Sequence, residues 1–92
     1  MIKSFCHKGL RRFFETGSTA GIDSRHAPRL RLQLAALDQA KAPADLGAAR
    51  WGLHPLRGAL KGHWSIWVSG NWRLTFMFEG SDVVLVDYQD YH

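Results

Sequence analysis

One stretch decides the fold of this chain: Trp64-Ser65-Ile66-Trp67-Val68-Ser69-Gly70-Asn71-Trp72-Arg73-Leu74-Thr75-Phe76-Met77-Phe78. Large apolar residues alternate with others on both sides of Ser69-Gly70-Asn71, which is typical of two half-buried strands joined by a turn. A second turn over residues 80–82 leads into Val83-Val84-Leu85-Val86. This continuous apolar run indicates a strand in the middle of a sheet. The last third of the chain is therefore predicted to be a meander of strands.

Two helices are predicted ahead of these strands. The first covers residues 7–16, where Leu10, Phe13 and Phe14 share one face, and Gly17 follows as its C-cap. The second begins at Asp23 or Ser24, which can cap it, and runs to about residue 40. Pro28 fits only in its first turn, because proline is not tolerated in a helix interior. The apolar stripe of this second helix consists of Ala27, Leu30, Leu34 and Leu37.

Shorter elements complete the prediction. Residues 2–5 predict a first strand, residues 43–47 a short helical turn, and residues 51–54 a strand followed by a loop to residue 62. Helices followed by a strand meander indicate an α+β fold and not a parallel α/β fold. One sheet face, with Trp72, Leu74, Phe76 and Phe78, is expected to receive the helices. The other face, with Arg73, Thr75 and Met77, is expected to stay uncovered, and a site could lie there.

Composition bounds the class of protein. A chain of 92 residues makes a single domain, residues 1–92, and 46% hydrophobic residues suffice for one core. The net charge of +4 is compatible with RNA, DNA or an acidic protein and selects none of them. The single cysteine excludes an internal disulfide and argues against structural zinc. Without an apolar run of about 18 residues or a signal peptide, we expect a soluble cytoplasmic protein with no membrane contact.

Several polar residues could form a site for cleaving RNA. Imidazole suits proton transfer, arginine binds phosphate oxygens with its planar fork, and tyrosine stacks on bases. Individually, each residue is more often an ordinary loop, strand or tail residue, and residues 25, 29 and 31 more often belong to a solvated helix face than to a nucleic-acid contact. Trp67 is open to either a core or a surface position. The candidate catalytic residues are His54, Arg57, Arg73, Asp90, Tyr91 and His92, and the candidate RNA or ribosome contacts are Arg25, Arg29, Arg31 and Lys61.

Several short sequence motifs resemble those of a known family. They are Met1-Ile2-Lys3-Ser4-Phe5, Leu53-His54-Pro55-Leu56-Arg57-Gly58, Trp64-Ser65-Ile66, Asn71-Trp72-Arg73-Leu74-Thr75-Phe76 and the end Asp87-Tyr88…Asp90-Tyr91-His92. Together, in this order and spacing, they resemble the HigB group of host-inhibition toxins within the RelE/ParE superfamily of toxin–antitoxin systems. Each motif alone would be weak evidence for the family.

The resemblance implies a fold, an activity and partners. The fold would be RelE-like, with two N-terminal helices on one face of an antiparallel sheet of four to five strands. The activity would be ribosome-dependent cleavage of mRNA in the decoding site, next to 16S rRNA, without metal or cofactor. The partner would be a HigA-type helix-turn-helix antitoxin. Matched by motif, the family's active-site positions are the six candidate catalytic residues.

The sequence departs from the family's motif at one position, and two other functions remain as alternatives. Arg57 stands where this group commonly has lysine, and arginine cannot exchange a proton near neutral pH. Proton transfer would then fall to His92 or Asp90 as base and His54 as acid, with Arg57 and Arg73 on the phosphate and Tyr91 stacking or positioning the base. Two other hypotheses are a ParE-like gyrase poison and a non-catalytic binding module.

Overall fold

The computed structural model describes residues 1–47 and 50–91 of the chain. These residues form helices α1 (Lys8–Thr16) and α2 (Ala27–Gln39) and strands β1 (His54–Pro55), β2 (Trp64–Ser69), β3 (Trp72–Glu79) and β4 (Asp82–Asp90). Short 3-10 turns cover Ser24–His26, Pro43–Leu46 and Gly58–Leu60. The strands pair antiparallel in the order β1-β2-β3-β4. The predicted α+β fold, with two helices before an antiparallel sheet, is confirmed.

Local chemistry sets the helix ends. The imidazole Nδ1 of His7 accepts the Leu10 N–H at 2.9 Å and caps α1, and Gly17 ends it with a φ of 81°. A left-handed residue at this position favours glycine, which has no Cβ to clash. Asp23 caps the 3-10 turn that leads into α2, and proline lies in the first turn of α2. The Gly17 cap and the position of Pro28 were predicted correctly, whereas the His7 cap was not predicted, and Asp23 caps the 3-10 turn ahead of α2 and not α2 itself.

The core lies between the helices and one face of the sheet. The predicted stripe of α2 is buried, as are Leu10 and Phe13 of α1. Leu74 and Phe76 of β3 face these helices at 0% exposure, while Trp72 and Phe78 pack at the margin of the same cluster. Each fully buried side chain of this kind contributes about 1.5–3 kcal/mol of hydrophobic stabilisation. The apolar alternation in β3 therefore fixes which face of the sheet receives the helices.

The N-terminal segment pairs with β4. Two isolated parallel bridges, Ile2 with Val83 and Phe5 with Val86, replace the continuous first strand predicted over residues 2–5. Val83 thus pairs with the N-terminal segment on one side and with β3 on the other, as the continuous apolar run of this strand predicts, while Val86 pairs with the N-terminal segment where the register with β3 shifts. Between them, Leu85 adopts a φ of 55° where the register with β3 shifts. This bulge bends β4 between the two bridges.

Two expectations were wrong in part. Only His54–Pro55 of the strand expected over residues 51–54 pairs as a strand, although the Trp51 carbonyl accepts the Trp67 N–H at 2.7 Å. The second sheet face is not uncovered throughout, since Thr75 is 1% exposed. The connection from β1 to β2 passes over this face, because a Cβ at Gly62 would lie 3.5 Å from Cε of Met77. Arg73, nearer the end of the sheet, remains half-buried.

Candidate active site

Strand register gathers polar side chains on the sheet face opposite the helices. Directly paired residues of antiparallel strands point to the same face. His54 and Arg73 therefore share this face, two strands apart and two residues apart along the strand direction, which corresponds to about 12 Å between their Cα atoms. Two long side chains can both reach a phosphate group placed between them. One row of this face consists of His54, Ser65, Thr75 and Asp87, and the next of Trp67, Arg73 and Gln89.

Arg73 is held by backbone carbonyl groups. Its NH1 group donates to the carbonyl oxygens of Gly70 and Trp72, both at 3.0 Å. Within residues 1–47 and 50–91, no carboxylate forms an ion pair with this guanidinium. Its positive charge is therefore oriented but not neutralised by a described acid. A group in this state suits an anionic ligand such as a phosphodiester.

His54 presents one defined nitrogen for proton exchange. The side chain is exposed, and its Nδ1 lies 2.9 Å from the Gly52 carbonyl oxygen. A carbonyl oxygen can only accept, so Nδ1 carries a proton and donates. In the neutral ring Nε2 is then the basic nitrogen, and in the charged ring it is the acidic one. The hydrogen bond to Gly52 therefore leaves Nε2 as the nitrogen through which His54 could exchange a proton in either direction.

Arg57 and Lys61 flank one short turn beside His54. Arg57 precedes the 3-10 turn Gly58–Leu60, and Lys61 follows it. Both side chains are exposed. The turn follows β1 directly, so it places two cations on the same connection as His54. Cations at this edge of the sheet can contact a nucleic-acid backbone.

The tail residues lie at the end of β4, beside Arg73. The Tyr91 N–H donates to the Asn71 carbonyl at 2.8 Å, and the Tyr91 side chain is 37% exposed. Asp90 pairs with Trp72, so strand alternation directs its carboxylate to the helix side of the sheet, away from Arg73. His92 lies outside the described residues. The structure thus brings His54, Arg73 and the Tyr91 backbone to one end of the sheet and sets Asp90 apart.

The three helix arginines do not form one surface. Asp23 binds Arg25 through two hydrogen bonds, to Nε at 3.0 Å and NH2 at 2.7 Å. The guanidinium of Arg29 lies 5.0 Å from the ring centre of Trp67, whereas that of Arg31 lies 5.6 Å from Phe13. Residues two apart on a helix project in different directions, which explains this separation. Of the three, Arg29 lies next to Trp67, the strand neighbour of Arg73.

Comparison with known families agrees with this arrangement. Residues 3–92 match the family described as the RelE-like toxin of type II toxin–antitoxin system HigB. The chain belongs to this HigB-like toxin family. One relative, Endoribonuclease HigB of Proteus vulgaris, is 45% identical over 92 residues, with 100% of both chains covered. The predicted resemblance to HigB toxins is confirmed, and membership of a type II toxin–antitoxin system implies an antitoxin partner.

Sequence reasoning missed one polar cluster of this HigB-like toxin. His26 is buried with its Nδ1 2.5 Å from the Tyr88 hydroxyl. Its Nε2 lies 3.9 Å from the Asp23 carboxylate, which favours a proton on Nε2 and donation from the Tyr88 hydroxyl to Nδ1. Trp72 stacks on Tyr88 with ring centres 4.3 Å apart. The partners are 62 residues apart in sequence, so no local pattern could have revealed them.

Burial and neighbouring charge shift two pKa values in this cluster. Burial raises the pKa of Tyr88 above 10.0, because the phenolate would lose its hydration. The side-chain hydrogen bond from Arg25 lowers the pKa of Asp23 well below its usual range. Tyr88 therefore stays neutral and Asp23 stays ionised at neutral pH. The cluster lies beneath Trp72, the residue next to Arg73, and supports this end of the HigB-like toxin's sheet.

The described residues of this HigB-like toxin contain no group of three His, Cys, Asp or Glu side chains that could hold a metal ion. Neither of its two described helices has the length and apolar character needed to span a bilayer.

Proposed function

We propose that this HigB-like toxin is an endoribonuclease that cleaves mRNA on the ribosome, in the decoding site, and thereby inhibits translation. The activity follows the name of the Proteus vulgaris relative, which is 45% identical along the whole chain. The observation that carries the proposal is the Arg73 guanidinium. It is fixed by two carbonyl groups and forms no ion pair with a described carboxylate, on the same sheet face as His54.

The chemistry proposed is metal-independent and needs no cofactor. A base removes the proton of a ribose 2′-hydroxyl, whose oxygen forms a bond to the neighbouring phosphorus. The bond from phosphorus to the 5′-oxygen breaks, and an acid protonates that oxygen. The products are a 2′,3′-cyclic phosphate and a 5′-hydroxyl end. Each proton-transfer group would contribute about 10²–10⁴-fold to the rate.

The geometry supports the following assignment of residue roles. Arg73 and Arg57 bind the phosphate and stabilise the negative charge that grows on its oxygens. His54 donates the proton to the leaving oxygen through Nε2, which its hydrogen bond to Gly52 leaves for exchange. His92 is the first candidate for the base, because strand alternation directs Asp90 away from Arg73. Asp90 then positions the tail, and Tyr91 stacks on or positions a base.

The proposed partners extend beyond mRNA. Among the candidate contacts Arg25, Arg29, Arg31 and Lys61, we assign Arg29 and Lys61 to the ribosome or RNA backbone, since Arg29 lies beside Trp67 and Lys61 follows the turn after Arg57. Arg25 is paired with Asp23 and Arg31 lies beside Phe13, so neither belongs to this contact. The cognate antitoxin is of the HigA type, a helix-turn-helix protein. The site of action is the cytoplasm, where the 16S rRNA decoding site is found.

A reconstituted cleavage assay tests this function. Purified toxin is added to mRNA alone and to ribosomes carrying the same mRNA, and new 5′ ends are mapped by primer extension. We expect cuts within the reading frame only when ribosomes are present. Arg73→Ala should reduce the rate by at least about 100-fold, the scale of losing one stabilising donor at a developing charge. Arg31→Ala, which removes an equal charge from the far side of α2, should cleave like the wild type.

Three results would contradict the proposal. Equal cutting of free mRNA would remove the dependence on the ribosome. Full activity of a folded Arg73→Ala protein would remove Arg73 from the site. Growth arrest with intact mRNA and broken DNA in cells would favour a gyrase poison.

A further inference from the structure

Trp67 differs from the other three tryptophans of the chain. Trp51, Trp64 and Trp72 pack against the hydrophobic core, whereas Trp67 is 38% exposed on β2. It is paired with Arg73 on the neighbouring strand, so both side chains project from the sheet face that carries His54. A partly exposed indole offers a flat face on which a nucleic-acid base can stack. The position of this ring, next to the proposed phosphate contact, suggests what it binds.

The indole of Trp67 is held in place before any ligand arrives. Its Nε1–H donates to the Gly70 carbonyl at 2.9 Å, the same oxygen that accepts from Arg73 at 3.0 Å. The backbone is fixed as well, because the Gln33 side chain donates to the Trp67 carbonyl at 2.7 Å. A ring already fixed by such bonds loses little conformational entropy on stacking. Trp67 and Arg73 are therefore oriented relative to each other by one shared oxygen atom.

Positive charge and a second aromatic ring surround this position. The Arg29 guanidinium lies 5.0 Å from the Trp67 ring centre, within the range of a cation–π contact. On the other side of Arg73, the chain continues from β4 into Tyr91, which is 37% exposed. Two exposed aromatic side chains thus flank a guanidinium at one end of the sheet. Proteins that bind single-stranded nucleic acid combine aromatic stacking surfaces and cations in this way.

We propose that Trp67 is a stacking platform for a base of single-stranded RNA adjacent to the nucleotide whose phosphate Arg73 binds. Arg29 completes the site by placing positive charge beside the indole. The inference rests on the proposed function, since it names a further subsite for the same RNA. Because every base has a π face, the platform contributes affinity with little sequence preference.

Two substitutions at one position separate stacking from structure. Trp67→Phe and Trp67→Leu both lose the hydrogen bond to Gly70 and both keep an apolar side chain, but only Phe keeps a flat aromatic face. The probe is a ribosome programmed with 2′-O-methylated mRNA, which lacks the attacking hydroxyl and cannot be cut. We expect Trp67→Leu to raise the Kd by about 10-fold or more, within the range of one lost base stack. Trp67→Phe should stay within about 3-fold of the wild type.

A matched pair of charge substitutions tests the contribution of Arg29. Arg29→Gln and Arg31→Gln remove the same charge from the same helix, but only the first removes a guanidinium from beside Trp67. We expect Arg29→Gln to raise the Kd by about 3-fold or more, as for a cation lost beside an RNA-bound ring. Arg31→Gln should change the Kd by less than half that factor. Circular dichroism of each variant checks that the fold is retained.

The outcomes separate this inference from the proposed function. Equal Kd values for Trp67→Leu and the wild type would overturn the platform. This result does not depend on whether the toxin cleaves unmodified mRNA. Equal losses in Trp67→Phe and Trp67→Leu would also overturn it and assign Trp67 to positioning the Gly70 turn. Weaker binding of the antitoxin with unchanged Kd for the ribosome would assign Trp67 to a protein contact. A wild-type toxin that binds the programmed ribosome but does not cleave unmodified mRNA would contradict the proposed nuclease activity. The Kd values of the Trp67 variants would still decide whether Trp67 is a stacking platform.

Discussion

Single atoms organise much of the candidate site at the residue scale. The Gly70 carbonyl oxygen accepts from both Trp67 and Arg73 and so fixes an aromatic ring and a cation together. The Gly52 carbonyl oxygen accepts from Nδ1 of His54 and so orients the imidazole. Neither acceptor could be identified from the sequence, because a backbone carbonyl is present at every residue. Only the strand period, which puts Arg73 on the non-helical face, was predictable.

Tyr88 gives a pH-dependent prediction at this scale. Its pKa is raised above 10.0 in the folded protein by burial, whereas in the unfolded chain it titrates near 10.0. Above about pH 10 the unfolded chain therefore gains stability by ionising Tyr88 while the folded protein does not. The unfolding free energy should fall as pH rises through this range. In Tyr88→Phe this fall should be shallower, as measured by urea unfolding at a series of pH values.

The same variant has a second expected effect near neutral pH. Removing the Tyr88 hydroxyl leaves the buried Nδ1 of His26 without its partner, at a cost of about 1–3 kcal/mol. Tyr91→Phe serves as the control, because that side chain is exposed. A Tyr88→Phe curve parallel to the wild type at alkaline pH would show that burial does not perturb Tyr88.

Local sequence chemistry determines most elements, and pairing partners determine the rest. The Gly17 cap of α1 and the apolar alternation of β2 and β3 act within a few residues, so they were predictable. The two-residue strand β1 was not, because its pairing with β2 crosses a connection that folds back over the sheet. The burial of Thr75 escaped prediction for the same reason. Strands of this length depend on tertiary contacts more than on their own composition.

A comparison of Gly17 and Gly47 tests whether a left-handed backbone conformation determines where α1 ends. Gly17 has a φ of 81°, whereas Gly47 has a φ of −73°, and a Cβ at Gly17 would meet no atom within 4 Å. Gly17→Ala should therefore destabilise the protein by about 1–2 kcal/mol, purely through its left-handed conformation. Gly47→Ala should change stability by no more than about 1 kcal/mol. Thermal unfolding of both variants measures the difference, and equal melting temperatures would exclude this explanation of the helix end.

The two ends of the described chain meet at the scale of the whole molecule. Four backbone hydrogen bonds join residues 1–6 to Val83 and Val86, and the Ser4 hydroxyl accepts the Leu85 N–H at 2.9 Å. These contacts shield the outer edge of β4, which would otherwise expose unpaired backbone groups. They explain why an apolar run suited to the middle of a sheet can occur in the last strand of the β1-β2-β3-β4 order.

Deleting residues 1–6 should therefore destabilise the whole fold and not only the N-terminus. Each lost hydrogen bond contributes about 0.5–1.5 kcal/mol, so the total loss should reach several kcal/mol. Hydrogen exchange at the Val83 and Val86 amides should become faster in the deletion variant. Lys3→Ala, at an exposed side chain within the same segment, is the control. Unchanged protection of both amides would show that the N-terminal pairing contributes little.

The pairing of the N-terminal segment with β4 limits when the fold can be completed during synthesis. The bridge from Ile2 to Val83 joins residues 81 positions apart, so the N-terminal segment cannot find its partner until β4 has been synthesised and released. A nascent chain lacking β4 also lacks the neighbour of β3 and the segment that carries Tyr91. The end of the sheet that carries Arg73 and Tyr91 is therefore incomplete until the last strand has been synthesised. The order of synthesis thus delays completion of the candidate site to the end of translation.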